Sequence, residues 1–104
     1  MKRVPLDPKV VQRCGAALRT LAHPERLRIV ECLESGPLTV GELVSALHRP
    51  QATISQHLMR LRGFGLVQAR REGRTILYAI GHTGCRTILN CIRTHFAPNS
   101  SRSF

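Results

Sequence analysis

The sequence predicts a mainly α-helical domain carrying one β-hairpin, and three observations lead there. Apolar residues recur at helical spacing along several separate stretches of the 104-residue chain. That period switches to alternation in LVQARREGRTILYAI, around Glu72-Gly73. The chain also holds one Tyr, three Phe and no Trp. Aliphatic side chains must therefore fill the core, which suits helices better than an all-β fold.

This length allows one domain, expected over residues 1–96, followed by a polar, frayed tail, APNSSRSF, at 97–104. Pro5 and Pro8 stand in a short N-terminal arm, where Asp7 can cap a helix beginning at Pro8. Val10, Val11, Cys14, Ala17, Leu18 and Leu21 then recur at helical spacing over about four turns. AHPERLRIVECLESG reads as a second helix with Pro24 in its first turn and a stop at Gly36-Pro37. Thr39 can cap a short third helix, VGELVSAL, with Glu42 completing a capping box. HRPQ breaks it before a fourth helix, QATISQHLMRLRGFG, which ends at Gly63 or Gly65. The hairpin follows, and a last helix is expected from about His82 to Phe96. The order helix, helix, short helix–turn–helix, hairpin, helix is that of a winged helix-turn-helix domain.

Charge points to a partner. Lys and Arg total 16 against 6 Asp and Glu, a formal net charge of +10. Nearly all of the basic residues are Arg, the side chain that forks onto phosphate oxygens and guanine edges. Nucleic acid is the expected partner of such a small basic domain. No apolar run approaches the roughly 20 residues that span a bilayer. Nor does an apolar segment follow the basic N-terminus, so no signal peptide and a cytoplasmic location are expected.

The fourth helix carries the reading face. At about 100° per residue, Leu58 and Leu61 fall close to Ile54 and form a buried stripe. The opposite side holds Ala52, Thr53, Gln56, Met59 and Arg60, with Gln51 at the helix start. Gln pairs bidentately with adenine, Arg with guanine, and Thr meets a base or its methyl group. Ser55 and Arg62 flank this face, placed for phosphates. In the hairpin RREGR, Arg70, Arg71 and Arg74 are expected to meet phosphates or the minor groove.

These stretches together, LAHPERLRIVECL, LTVGELVSAL, QATISQHLMRLRGFGLV and RREGRTILYAI, resemble the ArsR–SmtB family of winged-helix repressors. The resemblance runs from about Val10 to Phe96. It implies a homodimer joined through the first and last helices, a near-palindromic DNA operator, and release by a metal, metalloid or reactive sulfur species.

The chain departs from that family's effector sites. Arsenic and lead sensors carry cysteines at the start of the third helix, where this chain has Thr39 and Gly41. Zinc and cobalt sensors use four positions on the last helix. Here these are His82, Gly84, His95 and Pro98, so only two can ligate through side chains. Persulfide sensors use a second-helix cysteine aligned with Glu31, one residue before Cys32, and a last-helix cysteine near Ala97.

The chain's own cysteines are Cys14, Cys32, Cys85 and Cys91, with no CxxC pair. In a reducing compartment they are buried thiols, metal ligands or redox sensors rather than disulfides. Cys85 shares the stripe of Ile88, Leu89, Ile92 and Phe96, and Cys14 lies in the first helix's stripe. Each alone reads as a packing residue. Cys91 points about 120° away from Cys85, with His95 one turn beyond on the same flank. Cys32 sits at a boundary. Thiolates converging across a dimer would suit As(III) or another thiophilic metal ion as inducer, whereas Cys91 with His95 would suit part of a zinc site. With three of the four in the expected interface helices, at least two are expected to function. His23, His48 and His57 are read as structural or surface residues without converging ligands.

The expected protein is thus a DNA-binding repressor released by a thiophilic effector, needing no cofactor to bind DNA. Persulfide or redox response through the same thiols, and effector-independent repression, stand as alternatives. A winged helix that only binds proteins is a third. An enzyme is not expected, because no oxyanion site or third orienting group accompanies Cys91 and His95.

Overall fold

The structure is a computed structural model that describes residues 3–96, and the expected tail lies outside them. Helix α1 spans Pro8–Leu21, with the Asp7 carboxylate accepting from the Lys9 amide at 2.8 Å. Helix α2, Pro24–Cys32, runs into a 3₁₀ turn at Leu33–Ser35, which Gly36 ends with φ of 141°. Helix α3, Val40–Leu47, begins with the expected capping box. The Glu42 amide donates to Thr39 Oγ1 at 3.1 Å, and the Thr39 amide donates to Glu42 Oε1 at 2.9 Å. His48 closes α3 in the left-handed region at φ 56°, and α4 follows at Gln51–Gly63.

The hairpin pairs β1, Val67–Glu72, with β2, Thr75–Ile80, in a register from Val67↔Ile80 to Glu72↔Thr75. Its two-residue turn places Gly73 at φ 64°, a positive value that suits the twist of a tight hairpin. Helix α5 spans Gly84–Phe96, two residues later than expected. The reason is local: His82 stays outside the helix and its Nδ1 accepts from the Gly84 amide at 2.9 Å.

One connection joins the hairpin to the helices. Leu38 and Tyr78 exchange backbone hydrogen bonds of 2.9 and 2.8 Å, so the start of α3 is stitched to β2. The core is aliphatic, as composition required. Ile54, Leu58 and Leu61 of α4 meet Ile29, Val30 and Leu33 around α2, Leu43 of α3, Val67 of β1, and Cys85 and Leu89 of α5. Each buried branched side chain contributes roughly 1.5–3 kcal/mol.

The stripe on α1 behaves differently. Only Leu21 enters the core, while Val10, Val11 and Leu18 are 47%, 51% and 53% exposed. Phe96 on α5 is 71% exposed. A helical period that the single chain does not bury calls for another surface. No helix among the described residues is long and apolar enough to cross a membrane.

Candidate nucleic-acid interface

Three buried residues, Ile54, Leu58 and Leu61, fix which way α4 faces. Gln51, Ala52, Gln56, Met59, Arg60 and Arg62 are consequently exposed, and Thr53 and Ser55 are half-buried at the edges. The first turn of α4 has no acidic residue and no capping side chain. Its start therefore keeps the positive end of the helix dipole open to an anion. On the hairpin, Arg70 pairs with Glu72 at 3.1 Å, an exposed ion pair. Arg71 and Arg74 are exposed and have no ion-pair partner among the described residues.

Beneath the candidate reading face lies a polar network that fits a structural role for His23 and His57 but corrects the expectation that no ligand groups converge there. His57 is 8% exposed. Arg26 Nε donates to His57 Nδ1 at 3.1 Å, and Arg26 Nη1 donates to the Thr20 carbonyl at 3.0 Å. His57 Nε2 faces Glu25 Oε2 at 3.4 Å, and Arg49 Nε donates to Glu25 Oε1 at 2.5 Å. The His23 ring packs on His57 at 4.9 Å between centroids, and its Nδ1 accepts the Glu25 amide at 3.2 Å. A guanidinium only donates, so His57 Nδ1 is an acceptor and the ring proton is assigned to Nε2.

Burial holds the His57 pKa below its ordinary value, against the upward pull of Glu25 and with help from His23 and Arg26. The hydrogen bond from Arg49 lowers Glu25, against its partial burial. Ligand atoms of His23, Glu25 and His57 lie within 4.8 Å of one another, close enough to suggest a metal triad. Their chemistry argues otherwise. Both His57 nitrogens and both Glu25 oxygens have partners already, two of them guanidinium groups that would repel a cation. One signal for this network was in the sequence: His57 stands three residues after Ile54 and one before Leu58. A polar ring at that helical angle needs buried partners.

The cysteines separate by position. Cys85 is buried, Cys32 is half-buried, and Cys14 and Cys91 are exposed. Burial pushes the Cys85 thiol up, and its Sγ lies 3.8 Å from the Leu66 carbonyl. Cys32 is also pushed up, by burial and by Glu31, with Arg28 opposing. Cys14 and Cys85 line one groove between α1 and α5, of about 320 Å³, with Leu18, Leu21, Phe64 and Ile88. Cys32, Cys91 and His95 do not line it. Of the zinc-type positions, His82 is engaged as a helix cap, Gly84 offers no side chain, and Pro98 lies outside the described residues.

Sequence reading also missed what holds α5. Arg93 closes on Glu34 and reaches Glu31 at 3.8 Å, while Arg86 Nη1 donates to the Glu34 carbonyl at 2.9 Å.

Known proteins place this architecture. Residues 23–69 match the family described as "Bacterial regulatory protein, arsR family". The HTH-type transcriptional regulator NmtR of Mycobacterium tuberculosis is 37% identical over 86 residues, covering 83% of this chain and 72% of NmtR. The HTH-type transcriptional repressor SmtB of the same organism is 42% identical over 76 residues. That match covers 73% of this chain, which spans only 56% of the SmtB length. The solved structure of the transcriptional repressor BigR from Xylella fastidiosa superposes with a TM-score of 0.79 at 34% identity, covering 88% of this chain and 93% of BigR. The helices, the hairpin and these likenesses agree, and the chain belongs to the ArsR–SmtB family of winged helix-turn-helix transcriptional regulators.

Proposed function

We propose that the chain is a homodimeric, cytoplasmic repressor that binds a double-stranded DNA operator and leaves it when a thiophilic effector, As(III) or another soft metal ion, engages its cysteines. The observation that carries this reading is the α4 surface. Gln51, Gln56 and Arg60 are exposed on a helix whose other side is fixed in the core, beside a hairpin with Arg71 and Arg74 at its tip. Thr53 and Arg60 would read base edges with the two Gln residues. Ser55, Arg62, Arg70, Arg71 and Arg74 would hold phosphates. No cofactor is needed for these contacts.

The exposed apolar residues of α1 and α5 support a second copy as their cover. Two α4 helices would then have to sit about 34–36 Å apart to enter successive major grooves. The groove holding Cys14 and Cys85 lies on this same side. A ligand bonded there that prefers another spacing would lower operator affinity through its differential binding to the two states. Cys32, Cys91 and His95 remain candidates for the same chemistry across the dimer, including persulfide or redox response. Effector-independent repression is favoured by one observation, the burial of Cys85 in the core. The family consists of DNA-binding regulators, and catalysis forms no part of the proposal.

The experiment is operator binding by fluorescence anisotropy, using a duplex recovered from a random pool by the protein itself. Binding should weaken about a thousandfold between 50 and 200 mM salt if some six phosphates are contacted. As(III), Cd(II), Zn(II) and a persulfide donor are then added in turn, and each Cys is changed to Ser. Salt-insensitive or absent DNA binding overturns the repressor. DNA binding that no agent weakens overturns the sensor alone.

A further inference from the structure

We propose that His57 holds the reading face of α4 in place only while its ring is neutral, so that protonation of the ring releases α4 and weakens operator binding. The inference rests on α4 as the DNA-reading helix and adds to it a residue that never touches DNA.

The geometry is a matched pair of contacts on one ring. Nδ1 receives the Arg26 N–H at 3.1 Å, and Nε2 faces the Glu25 carboxylate at 3.4 Å. A neutral ring protonated on Nε2 satisfies both. An imidazolium does not, because its second N–H points at a guanidinium that also only donates. Two positive groups would stand 3.1 Å apart in a site 8% exposed to water. The guanidinium must then swing away, and its second bond, to the Thr20 carbonyl at the end of α1, goes with it.

The charged neighbours act in opposite directions on the ring. His23 and Arg26, from the α2 side, oppose a charged His57, and Glu25 favours it. Arg49, from the turn before α4, engages the other Glu25 oxygen and so draws that carboxylate's charge away from the ring. From α1 the network receives only the Thr20 carbonyl, through Arg26. His57 follows Gln56 directly and precedes Arg60 by three residues. Loss of the Arg26 contact therefore unties α4 from α2 and the end of α1 at the point where the reading side chains stand.

The expected sign separates this from ordinary charge effects. Positive charge added to the exposed surface on acidification would strengthen DNA binding. Release of α4 does the opposite.

The test uses the full chain in two arms. Nitrogen and amide NMR from about pH 8 to about pH 5 follows the His57 ring and the α4 backbone, since histidine changes charge in this range. The ring should start neutral with Nε2 protonated, and the amides of Gln56 and Arg60 should move with the His57 titration. Amides that ignore that titration overturn the proposal. In the second arm, anisotropy with the selected duplex at constant ionic strength compares wild type with His57→Gln and His23→Gln. Wild type should lose about tenfold in affinity on acidification, and His57→Gln should show no such loss. His23→Gln should move the loss to higher pH, because it removes a ring that opposes the His57 charge. An equal loss in His57→Gln overturns the proposal. If no duplex binds at any pH, the DNA-reading assignment fails while the NMR arm still decides the lock. If circular dichroism finds His57→Gln unfolded, the wild-type titration decides it.

Discussion

Arg93 on α5 closes on the carboxylate of Glu34, fastening the last helix to the turn that ends α2 across 59 residues of sequence. The Arg93 hydrogen bond keeps the Glu34 carboxyl below its ordinary pKa, against the opposing effect of burial. A carboxyl lowered in the folded state lends stability above its unfolded pKa, lost as pH falls through the folded value. Glu34→Gln should therefore cost about 0.5 kcal/mol at neutral pH, as exposed pairs do. That difference should vanish in acid, and urea melts at several pH values below neutrality would show it.

Gly81 sits where the hairpin returns to the helices. A Cβ built there would lie 2.5 Å from the Gly65 carbonyl oxygen, a backbone atom that cannot step aside. Gly81→Ala should destabilise the chain by about 1–3 kcal/mol. The same change at Gly63, where a Cβ meets open space, should not. Thermal melts of the two variants give the comparison.

His48 occupies a left-handed backbone position at φ 56° without being glycine. Replacing it with Gly relieves a conformational penalty of about 1 kcal/mol per residue. Entropy gained by the unfolded chain takes part of that back. His48→Gly should raise the melting temperature slightly, measured by calorimetry.

Two neighbours on α4 should fail in different ways. Ile54 is fully buried, so Ile54→Ala should cost about 2–5 kcal/mol of stability. Gln56 is exposed, and Gln56→Ala should leave the melt unchanged while reducing operator affinity by about 1–3 kcal/mol. Arg71→Ala should instead flatten the salt dependence of binding, by about one unit of slope if its guanidinium neutralises one phosphate.

Cys85 and Cys91 share a helix but not an environment. A thiol reagent should label Cys91 rapidly and Cys85 only as the domain opens, because burial also keeps the Cys85 thiol protonated. Cys85→Ser places a hydroxyl in an apolar setting and should cost about 1–3 kcal/mol. Mass spectrometry of labelled peptides and a denaturant melt check the two statements.

What the sequence made legible was local. Thr39 and Glu42 are three residues apart, Asp7 adjoins Pro8, and Gly73 sits between two alternating runs, so each feature could be read within a few residues. The stripe Ile54, Leu58, Leu61 was equally legible and fixed the direction of the candidate reading face. What stayed hidden joins distant segments. Arg26 and His57 are 31 residues apart, Arg93 and Glu34 are 59 apart, and Leu38 pairs with Tyr78 through backbone alone. Nothing in side-chain periodicity announces such pairs. The shared groove of Cys14 and Cys85 belongs to the same class, because helix angles place each thiol on its own helix but not two helices against each other.

The Leu38–Tyr78 stitch makes the hairpin a lever with a fulcrum. Arg74 stands four residues beyond Tyr78, an arm of about 13 Å at strand rise. A tilt of some ten degrees at the pivot would carry the guanidinium groups at the tip through about 2 Å, several times the roughly 0.5 Å over which a hydrogen bond holds. The reach of the hairpin is therefore set by where α3 begins, and the short segment before Thr39 acts as the mount that keeps two distant basic side chains in calibration with α4.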